Sequence, residues 1–205
     1  MEFLELAKIR RSAINFQSGV QISTSELEEI FEIVKTHPSS YNIQTTHYYV
    51  ATSEQKKVLV KNASFEQHKT LSASATIIVC GDKVGYKEAP RLYEGMKMLG
   101  IMDELEFNDT IKTINNLYSN NPTLVEGDNI RNASLSAMLF MLAAKDKGWD
   151  TCPMHVHNES IIKEIYNIPE NHQPVLMITL GKSVTGKVRP RGYRKPVGEF
   201  VHFAD

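Results

Sequence analysis

The chain has 205 residues, and its 23 Lys+Arg against 24 Asp+Glu leave a net charge of −1, so no overall positive field draws it to nucleic acid or to an anionic membrane, and any anion site must be local. No apolar run reaches the roughly eighteen residues of a membrane span, and the length suits one domain with a full core. The two cysteines, Cys80 and Cys152, lie in apolar stretches, and charges in MEFLELAKIRR break up what a signal peptide requires, so a reduced, cytoplasmic protein is expected.

In chain order, residues 3–11 place Phe3, Leu6, Ala7 and Arg10 on one helical face and run out in Arg10, Arg11 and Ser12. Ser23 with Glu26 reads as a capping box, and Leu27, Ile30, Phe31 and Val34 form the stripe of an amphipathic helix predicted to end near Thr36. The connection that follows carries Pro38, Ser39, Ser40 and Asn42, more short hydrogen-bonding side chains than a turn needs. It reads as a loop that grips a flat polar ligand. HYYVAT and ATIIVCGD are predicted strands, the second buried on both faces because Ile77, Ile78, Val79 and Cys80 do not alternate, with a short helix over 54–61 between them. Residues 84–125 are helical in pattern, rich in Met, Tyr and Asn, with YSNNPT as a breaker, and read as an inserted pair of helices. Residues 130–147 are apolar nearly all round and end before Gly148, which predicts a helix buried on every side, between the sheet and a second subunit. A buried strand is predicted over 174–181, and the final 24 residues read as an extended arm.

The candidate chemistry begins with arginine. Arg10 and Arg11 near one end and Arg189, Arg191 and Arg194 near the other either converge on a phosphate or remain two solvated basic surfaces. Neither G-x-G-x-x-G nor G-x-x-x-x-G-K-[ST] occurs, so a bound phosphate must be held by side chains. Cys152, His155 and His157 in CPMHVHN sit at strand spacing for a metal, but no acidic or Cys-rich partner lies at a zinc spacing, so no metal ligand is assigned. The absence of G-x-S-x-G removes the commonest hydrolase elbow.

Taken in order, RRS, PSSYNIQ, NASLSAMLFMLAAKDKGWDTCPM and RPRGYRKPVGEFVHF resemble the nitroreductase family of FMN-dependent NAD(P)H oxidoreductases, along nearly the whole chain. The resemblance implies an α+β fold with a central, mostly antiparallel sheet wrapped by helices. It implies one domain over 1–205, a helical lid over 84–125, a C-terminal arm over 182–205, and an intertwined homodimer with FMN at the subunit interface. By the same resemblance Arg10, Arg11 and Ser12 hold the FMN phosphate and ribityl from one subunit, joined by Arg191 and Arg194 of the arm. Pro38, Ser39, Ser40 and Asn42 close over the ring from the other. Lys69 falls where a cation stands near flavin N1 and O2, the more so because Ile14 replaces a lysine that some relatives use. Gln67 can supply the amide that Glu66 displaces. The backbone N–H of His155 faces N5, and Val156 replaces a glycine. No side chain is required as an obligate acid or base. NAD(P)H and a small aromatic acceptor, a quinone or nitroaromatic, then share one slot in a two-electron ping-pong exchange. A flavin-storing or flavin-sensing protein without turnover, and a metal-binding domain using Cys152, His155 and His157, are the competing readings.

Overall fold

Ile77, Ile78, Val79 and Cys80 are fully buried, and the reason is that their strand is covered on both faces. In the computed structural model, which describes residues 2–184 and 191–204, the strands are β1 Thr46–Ala51, β2 Ala75–Asp82, β3 Asp150–Met154 and β4 His172–Gly181. They form one sheet in the order β1-β2-β4-β3, every neighbouring pair antiparallel. Period-two alternation sends Ile77 and Val79 to one side, with Ile178 and Leu180, against helices α2 (Thr24–Val34) and α7 (Pro122–Asp146). Ile78, Cys80 and Met177 point the other way, against α3 (Glu54–Ala63) and α8 (Glu159–Tyr166). The two prolines inside strands are tolerated for different reasons: Pro153 lies on edge strand β3, and Pro174 sits at a register shift opposite Val79 and Cys80.

The capping box is formed. Ser23 Oγ accepts from the Glu26 N–H while Glu26 accepts from the Ser23 N–H, and Leu27, Ile30 and Val34 are buried. Helix α1, Phe3–Ile9, buries only Leu6 of its expected face, and Phe3 is 67% exposed. After it the chain lies along the sheet: Ser12 bridges to Thr151 and Phe16 to Ser183, with the Ala13 N–H donating to Thr151 O at 2.9 Å. Gly181 is required there, since a Cβ would stand 2.7 Å from the Phe16 ring.

Residues 84–125 contain α5 (Ala89–Met98) and α6 (Glu104–Ser119), and also the first turn of α7. The long helix therefore starts at Pro122, eight residues before the expected Ile130. YSNNPT is a helix start as much as a break, because the Asn121 side chain caps the Leu124 N–H and Pro122 occupies the first helical position. Its end is as expected: Gly148, at φ 79°, follows the last turn, with Gly148 N–H donating to Lys145 O and Trp149 N–H to Ala144 O, a Schellman motif. Within one chain the sheet and the neighbouring helices cover one side of the helix. Asn132, Ala133, Ser136, Ala137, Phe140 and Ala144 pack inward, but Ile130, Leu135 and Met138 on the outer face are 45%, 52% and 43% exposed. No helix among the described residues is long and apolar enough to cross a membrane.

Candidate functional site

The chain bends back on itself to bring its two arginine clusters together. Arg191, on the returning arm, donates to Lys8 O at 2.6 Å and to Arg10 O at 3.2 Å. Arg194 turns on its own backbone, donating to Gly192 O and Tyr193 O. Burial pulls the Arg10 pKa below its ordinary value, and the Arg191 and Arg194 guanidiniums pull it further. Among the described residues, the groups acting on Arg10 are two like charges and the Cys152 thiol. Three forks crowded in this way fit an oxyanion, which would offset their repulsion and use their donors. Arg11 is half-buried with an interaction of its own, and Ser12 is exposed at the start of the bridge to β3. Arg189 lies outside the described residues.

Beside this cluster, Lys69 opens the short helix α4, Lys69–Ser72, and its Nζ stands 3.4 Å from Cys152 Sγ on β3. Since Cys152 also acts on Arg10, the cation of Lys69 and the guanidiniums share one edge of the sheet. The C-terminal end of α4 is fixed by Lys57 of α3, 4% exposed, whose ammonium donates to Ala73 O at 2.9 Å and to Leu71 O at 3.3 Å and pairs with Glu54. Sequence reading missed Lys57, because a lysine on a helix carries no mark of being buried. Gln67 is half-buried in the loop between α3 and α4, while Glu66 forms an ion pair with Lys61.

β3 ends at Met154, paired with Met177, so the amide of His155 lies just past the ladder. His155 and His157 lie beyond the strand whose alternation was to align them, their ring centroids 6.2 Å apart. Val156 packs against the core beneath, and Asn158 ties the segment down by donating to Ala63 O at 3.1 Å. Phe65, with φ 49° and 70% exposed, meets His157 edge-on at 4.5 Å.

The Pro38–Asn42 loop is elsewhere. Asn132 of α7 accepts from the Ser40 N–H at 3.1 Å, Ser39 Oγ accepts from the Gln44 N–H at 3.1 Å, and Tyr93 of α5 donates to Tyr41 O at 2.8 Å. Tyr41, Asn42 and Gln44 all have φ near +49°, a strained run for side-chain-bearing residues, held by those three anchors. Pro38 and Asn42 are exposed. Asn132 was legible only as a polar residue in an apolar helix. The loop leads into β1, one edge of the sheet, whereas Arg10, Ser12 and Lys69 lie against β3, the other edge. With strands about 4.8 Å apart, these edges are about 14 Å apart.

Residues 7–182 match the Nitroreductase family model. The chain is 46% identical over 203 residues, 98% of each chain, to Bacillus subtilis MhqN, a protein provisionally named an NAD(P)H nitroreductase. The crystal structure of a Bacillus subtilis protein assigned as a nitroreductase, ydfN, is similar with a TM-score of 0.94 at 44% identity, covering 98% of each chain. Another assigned nitroreductase, from Exiguobacterium sibiricum and solved in complex with FMN, is similar with a TM-score of 0.90 at 26% identity, covering 100% of this chain and 98% of that one. The antiparallel α+β fold is thus shared with these structures, and the chain belongs to the nitroreductase family of oxidoreductases.

Proposed function

We propose that this protein is a cytoplasmic, homodimeric, FMN-dependent NAD(P)H oxidoreductase that reduces quinones or nitroaromatic compounds by two-electron ping-pong transfer. The observation that carries the reading is the convergence of Arg10, Arg191 and Arg194 beside Lys69. FMN, when bound, supplies the two-electron carrier between donor and acceptor. The chain's own residues bind and orient. Arg10, Arg191, Arg194 and Ser12 take the phosphate and ribityl. Lys69 holds positive charge at the pyrimidine edge, Gln67 offers its amide, and the His155 N–H donates without depending on its side chain. Phe65 and His157 give the same edge an aromatic wall suited to a flat acceptor.

Surface area supports the second copy. The chain exposes 12328 Å², whereas a compact monomer of 23.2 kDa exposes about 9,700 Å². The outer face of α7 and the arm's Phe200 and Phe203, 59% and 84% exposed, are apolar surface that a second copy would cover. Met98, Leu99 and Leu105, each over 75% exposed at the tip of α5 and α6, suit a lid over the partner's site. The free cysteines Cys80 and Cys152 are buried, in keeping with a reducing compartment.

The test is the visible spectrum of the purified protein, then anaerobic NADH or NADPH, then a quinone or nitroaromatic. A yellow protein bleached by the nucleotide and recoloured by the acceptor, with parallel double-reciprocal plots, is expected. A colourless protein that fails to take up added FMN refutes the reading, and FMN binding without bleaching indicates a storage or sensing role.

A further inference from the structure

A second cluster of functional side chains lies at the far end of β4 from Gly181, about 30 Å along that ten-residue strand. Antiparallel pairing assembles it from three strands: His47 near the start of β1, Asp82 at the end of β2, and His172 at the start of β4, with Asp82 and His172 direct partners in the ladder. One ligating atom from each lies within 4.8 Å of the others. The remaining polar atoms of the two inner residues are already engaged. Tyr49 Oη is 2.6 Å from His172 Nδ1, which leaves Nε2. Asp82 Oδ1 accepts from Asn171 Nδ2 at 2.7 Å and from the Val84 N–H at 2.9 Å, which leaves Oδ2.

His172 is 8% exposed, yet its Nε2 stands 3.7 Å from Asp82 Oδ2, beyond hydrogen-bond length. The exposed His47 ring lies over it with centroids 4.3 Å apart. Two imidazoles and a carboxylate, each inner ligand oriented by a partner behind it, are the donors and support that zinc-class ions take. With Nδ1–H donating to Tyr49 Oη, the Nε2 lone pair is free. Tetrahedral ligands at about 2.0–2.1 Å from the ion are about 3.3 Å apart, so closure needs a contraction of about 1.5 Å at most, within reach of a rotation of His47. We propose that His47, Asp82 and His172 bind one divalent transition-metal ion of the zinc class, with water completing its coordination. The ion clips the ends of β1, β2 and β4 together, and the site is independent of the flavin.

The test uses Zn²⁺ on the purified full chain, followed by calorimetry and by anomalous scattering from crystals, comparing wild type with His47→Ala, Asp82→Asn and a His155→Ala/His157→Ala control. Expected are about one Zn²⁺ per chain, anomalous density between the three side chains, affinity at least about tenfold weaker in His47→Ala and Asp82→Asn, and no change in the control. Zinc should also raise the unfolding temperature of wild type but not of His47→Ala. His47 is exposed, so its variant keeps the fold. Absence of zinc uptake, uptake indifferent to both site variants, or uptake abolished by the control would each overturn the proposal.

Discussion

Arg10 is half-buried beside two other guanidiniums, so its charge is costly in the bare protein and is offset when an anion enters. Arg10→Ala should therefore weaken FMN binding about tenfold or more, the equivalent of a lost charge-assisted hydrogen bond of about 1.5–3 kcal/mol, without lowering the stability of the flavin-free protein. Flavin fluorescence titration and thermal unfolding measure the two effects, and wild-type affinity in this variant would remove Arg10 from the site. Arg10 and Arg191 are too far apart in the chain for any local pattern to relate them, so their convergence was legible only through the family resemblance. His47, Asp82 and His172 were not legible at all, since three strands supply one ligand each and no spacing rule connects them. His155 and His157 had the spacing without the strand.

Elements were more legible than their ends, since periodicity marks a buried face whereas caps depend on a few residues. The Ser23 box and the β2 strand needed nothing from elsewhere in the chain, but Pro122 reads as a stop or as a start until the turn before it is known. Packing between elements sets two contrasting expectations. A Cβ on Gly81 of β2 would stand 2.3 Å from Asn129 Cβ on α7, while nothing lies within 4 Å of one on Gly95 in α5. Urea denaturation should find Gly81→Ala destabilised by about 1–3 kcal/mol and Gly95→Ala stabilised by about 0.5–1 kcal/mol. The junction of α7, β3 and the arm depends on Asp150. Burial alone would raise its pKa, but hydrogen bonds from Lys145 Nζ at 2.7 Å and the Ser183 N–H at 3.1 Å outweigh burial and hold it below 3.8. The folded state thus favours the ionised form, and its stabilisation is complete above the unfolded value near 3.8 and is lost as pH falls through the lower folded value. Asp150→Asn should cost about 1.5–3 kcal/mol at neutral pH, and its difference from wild type should shrink in denaturation curves taken progressively below pH 3.8. A difference constant across that range would contradict the assignment.

At the scale of the whole molecule, the parts that would surround one flavin lie on opposite edges of one sheet, and the chain exposes far more surface than a compact monomer of its mass. Both follow if a second copy lays its Pro38–Asn42 loop against the arginine edge of the first. Composition could not have shown this, because the outer face of α7 is as apolar as its core face, and only packing tells which is left over. The most direct measurement pairs an Arg10→Glu chain with an Asn42→Arg chain. Each homodimer should be flavin-poor, since one lesion opposes the phosphate and the other crowds the ring. In a heterodimer isolated through different tags, one site collects both lesions and the other neither, so about one FMN per dimer should return. If every residue of a site came from one chain, each site of the heterodimer would keep a lesion, and a flavin-poor heterodimer would contradict the shared site.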